Sequence, residues 1–297
     1  MQILRPDRAV LAFAALLGLT FALALLTGRP AAAQDAGAPA GAVERVRVVP
    51  LGDGSFYEIH VLVDTTDGTN ADTVVDGFAP GGSAGGVSAQ YVPWGPKWAA
   101  SDIPVSVRYN GAAEPAGLNV PTYLQAAMAT WSSVTAQSFR FSWAGLATGG
   151  YDTCGSTPAD GVNTVLFGTF SDSHILAATC VSYRVATDGP HRAEFDMLIN
   201  KSTTWSVGDA TPANAFDLPS TVLHELGHAL GLDHTTTTGA VMVATLAPGK
   251  RVRSLAADDV AGIRALYGTG PPPESDPAPT LKPLNHSLRF ASMARDN

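Results

Sequence analysis

The stretch that decides the fold reads His224-Glu225-Leu226-Gly227-His228-Ala229-Leu230-Gly231-Leu232-Asp233-His234. On a helix, His224 and His228 lie one turn apart on the same face. Two imidazoles at that spacing can bind one zinc ion. Gly231 reaches a positive φ at little cost, so the helix can end there and the chain can turn back. This turn is predicted to bring His234 to the same metal as a third ligand.

The glutamate within this stretch indicates a catalytic site. Glu225 directly follows the first ligand, so its side chain points beside the metal and not at it. A carboxylate in that position can hold a zinc-bound water and take its proton. Three protein ligands leave a fourth position for water, which is typical of a catalytic zinc site. The alternative is a buried amphipathic helix with scattered histidines, and the spacing of Gly231 and His234 argues against it.

Composition and charge exclude one class of partner. The chain has 297 residues and a formal net charge of −8, and its lysines and arginines form no basic run. Nucleic-acid binding depends on positive charge that neutralises phosphates. We therefore expect no nucleic-acid partner.

The first 33 residues are typical of a signal peptide. Arg5 and Arg8 precede an apolar stretch over residues 9–26, and Ala31 and Ala33 fit a cleavage site. We expect a secreted protein with no stable membrane insertion after cleavage. Because the apolar stretch is longer than usual for a signal peptide, an uncleaved N-terminal membrane anchor is the alternative.

The two cysteines, Cys154 and Cys180, are predicted to form a disulfide. An even number of cysteines in an exported chain favours pairing, because the extracellular environment is oxidising. Two buried free thiols are the alternative.

Residues 34–86 are predicted to form a separate β-rich segment. Alternating apolar residues predict strands at 43–49 and 56–64. The stretch 65–86 is rich in Gly, Asp and Thr and predicts solvated turns, with a Gly-rich linker at 80–86. This segment is interpreted either as a removable pro-segment or as a small accessory β-unit, and the pattern does not decide between them.

Residues 87–269 are predicted to form the main domain, followed by a disordered Pro-rich tail at 270–297. Periodicity predicts strands at 103–109, 139–143, 162–167, 175–183 and 193–199, and helices at 121–136, from about 219, and at 256–267. This order indicates an α+β domain with the metal-binding helix under a sheet.

Two motifs carry a resemblance to a known family. The stretch ending at His234 is followed by Ala240-Val241-Met242, and together they resemble the metzincin zinc endopeptidases, with Met242 at the Met-turn. Within that clan the chain is most similar to the matrixins, peptidase family M10. This likeness rests on the Gly-Leu-Asp-His ending of the zinc motif and on the closing segment 255–268. The likeness covers about residues 92–268, and the short domain resembles that of the short microbial matrixins.

The resemblance implies a metzincin-type α+β catalytic domain: a twisted mixed sheet with an upper helix, an active-site helix and a C-terminal helix. It implies one catalytic Zn²⁺ on His224, His228 and His234, with Glu225 as general base. The implied activity is that of a secreted, monomeric zinc metalloendopeptidase that hydrolyses peptide bonds in proteins or peptides, with the extracellular matrix as a setting. The substrate is expected to pair with an edge strand formed by Ile175, Leu176, Ala177, Ala178 and Thr179.

The resemblance also implies bound Ca²⁺, for which Asp188, Glu194 and Asp196 are candidate oxygen donors. Solvated surface acids are the alternative, because no full oxygen cage is apparent. For a second, structural zinc the candidates are Asp172, His174 and His191, whose spacing does not match the family pattern.

Three departures from family patterns are visible. Residues 34–86 contain no cysteine, which excludes the cysteine switch that matrixin pro-segments use. Ala244 stands where astacin-like enzymes have a tyrosine, and Ala256 stands where a helix-capping serine is common.

Two rival functions remain at this point. A catalytically inactive, zinc-folded binding module would keep the histidines but would not need Glu225. A zinc hydrolase acting on non-peptide or cell-wall amides would share the helix motif but not the matrixin-like closing segment.

Overall fold

A computed structural model describes residues 41–50, 56–78, 83–84, 97–148, 159–186 and 189–269. Within these ranges the chain forms a mixed nine-stranded sheet, a two-stranded sheet and four α-helices. This confirms the predicted α+β class.

The strands in chain order are β1 (Ala42–Pro50), β2 (Phe56–Asp64), β3 (Ser83–Ala84), β4 (Val105–Asn110), β5 (Phe141–Leu146), β6 (Asn163–Gly168), β7 (Ile175–Ala186), β8 (Gly189–Asn200), β9 (Trp205–Ser206), β10 (Phe216–Asp217) and β11 (Thr245–Leu246). The large sheet has the order β11-β1-β2-β7-β8-β6-β4-β5, and β3 pairs with β1. Strands β4, β5, β6 and β8 pair in parallel, whereas β7 is antiparallel to β8. Strands β9 and β10 pair separately.

The helices are α1 (Ala71–Phe78), α2 (Val120–Ser132), α3 (Leu218–Leu230) and α4 (Ala257–Tyr267). Apolar residues of α2, α3 and α4 share one core with residues of the sheet, including Val107 and Phe195. The indole of Trp131, which is fully buried in α2, donates a hydrogen bond of 2.8 Å to the carbonyl oxygen of Leu223 in α3. This bond and the shared core hold the metal-binding helix against the upper helix.

The prediction of solvated turns over residues 65–86 was wrong for the helix α1. Asn70 caps this helix, because its side-chain oxygen accepts the N–H of Asp72 at 2.9 Å. Ala71, Val74 and Val75 are buried and form a core with residues of β2 and β7. The abundance of Asp, Thr and Gly concealed a short amphipathic helix in this stretch.

The N-terminal strands join the same sheet as the main domain. Strand β2 is antiparallel to β7 along most of its length, and β1 is antiparallel to both β2 and β11. Residues 42–50 and 56–64 are called the N-terminal hairpin below. The predicted boundary near residue 86 stays a prediction, but the hairpin packs as part of the sheet.

Helix α3 has a well-defined start and end. Asp217 is its N-cap, and its carboxylate accepts the backbone N–H of Ser220 at 3.0 Å. The same carboxylate accepts two hydrogen bonds from Arg253, from Nε at 2.8 Å and from Nη2 at 2.5 Å. Gly231 ends the helix with a φ of 124°, a conformation that L-residues with a side chain rarely adopt.

Replacing Asp217 by alanine is expected to destabilise the fold by about 2–4 kcal/mol. The substitution removes the helix cap and leaves Arg253 without its carboxylate partner. The free energy of unfolding by urea, measured in a Glu225→Ala background to prevent self-digestion, tests this. The control is Asp209→Ala at a nearby exposed aspartate, for which a loss below about 0.5 kcal/mol is expected. Equal losses for the two variants would contradict the role given to Asp217.

Candidate active site

The three predicted zinc ligands are brought together and buried. His224 is 8% exposed, His228 0% and His234 2%. After Gly231, the backbone N–H of Leu232 donates to the carbonyl oxygen of Gly227 at 2.9 Å, which turns the chain back towards the helix. The Nε2 atoms of His224 and His228 lie 2.9 Å apart. The helical spacing and the glycine turn thus place the three imidazoles as the sequence predicts.

Backbone carbonyls orient two of the imidazoles. Nδ1 of His224 lies 2.6 Å from the carbonyl oxygen of Val241, and Nδ1 of His228 lies 2.8 Å from that of Leu232. A carbonyl oxygen can only accept a hydrogen bond, so Nδ1 carries the proton in both rings. Nε2 is then the lone-pair nitrogen that can bind a metal, and the ring orientation is fixed by the backbone.

A fourth group, Glu44 of β1, lies among the three imidazoles. Its Oε2 is 2.5 Å from Nε2 of His224 and 3.0 Å from Nε2 of His234, and its Oε1 is 3.1 Å from Nε2 of His228. One ligand atom from each of the four residues lies within 4.8 Å of the others. Glu44 was not among the site residues predicted from the sequence. The available signal was one acidic residue within a predicted strand.

The four residues fit a zinc ion. Oε1 of Glu44 lies 3.1 Å from Nε2 of His228, and Nε2 of His234 lies 3.0 Å from Oε2 of Glu44, but within the described ranges neither buried atom makes a hydrogen bond of good geometry. Buried polar atoms are rarely left unsatisfied, so these two atoms fit a role as metal ligands. Three imidazole nitrogens and a carboxylate oxygen are ligands that zinc accepts in proteins. The donor set therefore supports the prediction of a zinc site.

Glu225 lies beside the histidines and is fully buried. The hydroxyl of Thr179 donates a hydrogen bond to its Oε2, whereas its Oε1 has no hydrogen-bond partner in the described part of the chain. Burial and the nearby negative charge of Glu44 raise the pKa of the Glu225 carboxyl to about 8. The Thr179 hydroxyl fixes one oxygen of this carboxylate and leaves the other for a reacting group.

Met242 packs against helix α3 at Gly227. A Cβ atom added at Gly227 would come within 2.2 Å of the sulfur of Met242, so only glycine permits this close approach. The carboxylate of Asp259 accepts the N–H groups of Val241 at 2.9 Å and of Met242 at 3.1 Å. It also accepts the N–H of Ala256 at 2.7 Å. Asp259 therefore caps α4, in place of a side chain at Ala256, and fixes the Met-turn.

The N-terminal hairpin adds a second buried polar group behind the histidines. The ring of His60 stacks on that of His228 with a centroid separation of 3.8 Å. Its Nε2 lies 2.6 Å from Oε1 of Glu58, and its Nδ1 lies 3.3 Å from Oε1 of Glu44. Burial lowers the pKa of His60, but the two carboxylates outweigh it and raise the pKa to about 10. The hairpin thus carries a buried cation between two carboxylates.

The predicted substrate edge is already paired in this chain. Residues 175–179 lie in β7 and are buried. The hairpin strand β2 runs antiparallel to them, with Leu62 opposite Ala177 and His60 opposite Thr179. A small cavity beside His224 is bordered by Leu62 of the hairpin and by Val241, Val243 and Leu246 of the segment after the zinc motif. The hairpin therefore lies where the substrate was expected.

The remaining predicted residues are only partly placed. Asp188 lies outside the described residues, Glu194 accepts the N–H of Gly161, and Asp196 accepts that of Thr164 at 2.9 Å. The Ca²⁺ site stays a prediction.

Of the candidates for a second zinc, His174 lies at the protein surface, where it contacts Asp172 at 2.7 Å and Asp67 at 3.1 Å.

Cys154 lies outside the described residues, while Cys180 is buried in β7, so the disulfide also stays a prediction. The predicted signal peptide and the Pro-rich tail are likewise outside the described ranges. None of the helices in those ranges is both long enough and apolar enough to span a bilayer.

Comparison with known proteins agrees with the geometry. Residues 169–268 match the family profile described as matrixin, of peptidase family M10. Metalloendoproteinase 4-MMP of Arabidopsis thaliana is 31% identical over 198 residues, which cover 61% of this chain and 51% of the relative. Metalloendoproteinase 1 of Glycine max is 41% identical over 85 residues (29% of this chain, 27% of the relative). Stromelysin-3 of Mus musculus is 40% identical over 94 residues (31% and 18%).

The chain spans about half or less of the length of these relatives. The matched residues include the three histidines, Glu225, Met242 and Asp259, which the structure brings together in one buried site. The fold, the buried site and the matching profile lead to one conclusion: the chain carries a matrixin-like metzincin domain.

Proposed function

We propose that this protein is a secreted zinc-dependent metalloendopeptidase that hydrolyses peptide bonds in proteins or peptides. The observation that carries the proposal is the convergence of three imidazoles beside the Glu225 carboxylate. His224, Glu225 and His228 lie on α3, and His234 follows it. His224, His228 and His234 would hold the zinc. When bound, zinc supplies a Lewis acid that polarises a carbonyl group and makes water more acidic.

The residues of the chain supply the proton transfers. Glu225 takes the proton of the attacking water and passes it to the leaving amine, as a general base and then a general acid. The Thr179 hydroxyl holds one carboxylate oxygen, so the other faces the reacting atoms. The carbonyls of Val241 and Leu232 keep the imidazoles in the orientation that binds metal. The apolar residues around the cavity beside His224 favour substrates with an apolar side chain next to the cut.

The relatives are named as metalloendoproteinases, which supports an endopeptidase activity. The N-terminal sequence pattern supports secretion. The proposal also includes a preference for apolar side chains next to the cut, a monomeric state and bound Ca²⁺.

One observation favours a second candidate function, that of an inactive zinc-folded binding module. Glu44 completes a set of four protein ligands, and four protein ligands are typical of structural zinc sites. Against it, a structural site needs neither Glu225 nor the hydrogen bond that orients this carboxylate.

Replacing Glu225 by glutamine is expected to lower the rate of peptide hydrolysis by about 10²–10⁴-fold, because the amide cannot take a proton from water. The assay uses a quenched fluorescent peptide library and the chain as secreted, with its N-terminus sequenced. Zinc content, measured by mass spectrometry of the native protein, is expected to stay at one ion per chain. Full hydrolysis by this variant with zinc bound would rule out the role of Glu225.

Removal of zinc by 1,10-phenanthroline is expected to abolish hydrolysis, and dialysis against Zn²⁺ is expected to restore it. The matched control is a non-chelating phenanthroline isomer at the same concentration. Hydrolysis that survives complete loss of metal would overturn the proposal. A protein that binds zinc but hydrolyses no peptide, with or without its N-terminal residues, is the binding module.

A further inference from the structure

The N-terminal hairpin places three different obstacles in the site. Glu44 of β1 puts a carboxylate among the zinc-binding imidazoles, with its nearest oxygen 2.5 Å from His224. Strand β2 occupies the edge of β7. Leu62 borders the cavity beside His224. All three come from residues 42–64, which precede the matched matrixin segment.

Glu44 is held in place by its backbone and by its neighbours. Its N–H donates to the carbonyl oxygen of Ala244 at 2.9 Å, and the adjacent residues of β1 pair with Thr245 and Leu246 of β11. The residue is 1% exposed. The carboxyl group of Glu44 is therefore held in one position among the imidazoles, and a carboxylate oxygen is a ligand that zinc accepts.

The chemistry of a carboxylate explains how Glu44 could block the metal site without the hairpin itself being hydrolysed there. Glu44 presents a side-chain carboxylate to the histidines, and a carboxylate has no leaving amine. An oxygen ligand at the fourth position would also take the place that water needs in a catalytic site. The cysteine that matrixin pro-segments use is absent from residues 34–86, and the Glu44 carboxylate would supply oxygen where that cysteine supplies sulfur.

Helix α1 is attached to the hairpin and not to the zinc-binding helix. Arg45 of β1 pairs with Asp72 at 2.9 Å, and Arg47 of β1 pairs with Asp76 at 2.5 Å. The polar contacts of this N-terminal part with the main domain include Glu58, which accepts from the hydroxyl of Tyr183 at 3.1 Å, and Asp67, which contacts His174 at 3.1 Å. The two ion pairs and the packing of α1 against β2 tie the helix to the hairpin, so the two form one N-terminal unit.

We propose that residues 42–78 are an inhibitory pro-segment in which the Glu44 carboxylate is the fourth zinc ligand, and that hydrolysis of a peptide bond after this segment activates the enzyme. This inference rests on the proposed peptidase function and adds its regulation. Two steps of release follow from the geometry: loss of Glu44 opens the metal to small ligands, and loss of β2 opens the edge of β7 to a substrate.

The first experiment tests Glu44 without measuring hydrolysis. The full chain carries Glu225→Ala, so that it cannot digest itself, and holds Co²⁺ in place of zinc. Acetohydroxamate is titrated in and followed by the visible absorption of the cobalt. Glu44→Gln is expected to bind acetohydroxamate at least about tenfold more tightly than the parent, because a tethered ligand no longer competes for the metal.

The matched control is Glu58→Gln, which makes the same change in the same hairpin, at a residue that contacts His60, Tyr183 and Arg192. It is expected to bind acetohydroxamate as weakly as the parent. Equal affinities for the parent and Glu44→Gln would overturn the role of Glu44. Equal gains in Glu44→Gln and Glu58→Gln would also overturn it, because a loosened hairpin would then be sufficient.

The second experiment does not depend on the folding of any Glu44 variant. A recognition site for a sequence-specific protease is inserted into the Gly-rich stretch 80–86 of the full chain with Glu225 intact. The uncut protein is expected to leave a quenched fluorescent peptide intact. Hydrolysis is expected to rise at least about 100-fold once mass spectrometry shows that the N-terminal fragment has left.

The outcomes separate the two proposals. Equal hydrolysis before and after cutting would overturn the inhibitory role and leave the peptidase function standing. A fragment that stays bound after cutting would contradict removal as the route of activation. A third outcome is that Glu44→Gln binds acetohydroxamate more tightly and the fragment leaves, yet no form of the protein hydrolyses peptides. In that case the role of Glu44 as a metal ligand stands and the peptidase function is ruled out.

Discussion

The site depends on two imidazoles that one turn of a buried helix points at the same place. The helix α3 is held by Asp217 at its start and by Gly231 at its end, and the indole of Trp131 fixes its middle. Carbonyls of the following segment then set the orientation of the rings. Any shift of α3 would move both ligands together, so the elements around it serve mainly to hold this helix in position.

The segment after the helix is positioned by a single carboxylate. Asp259 accepts three backbone N–H groups, two from the Met-turn and one from the start of α4. Because one of those turn residues, Val241, also contacts His224 through its carbonyl oxygen, Asp259 acts on the metal site through the backbone. Gly227 allows the sulfur of Met242 to approach the helix closely. These contacts explain why the zinc motif and the closing helix occur together.

Much of this arrangement could be predicted from the sequence, because the information is local. The spacing of His224 and His228, the glycine before His234 and the alternation in the strands each act over a few residues. Glu44 could not be predicted in the same way, since it lies 180 positions from His224. The burial of Glu58 and His60 in β2 could not be predicted from the alternation either, because it depends on residues distant in the sequence, such as His228 and Tyr183, that cover this face of the strand.

The pairing of β2 with β7 has a further consequence for the behaviour of the chain while it folds. An unpaired strand at a sheet edge exposes a row of N–H and C=O groups and readily associates with strands of other chains. The residues of β7 that precede Tyr183 are apolar or small, so an open edge there would be prone to aggregation. The hydrogen bonds between β2 and β7 keep this edge from pairing with neighbouring molecules.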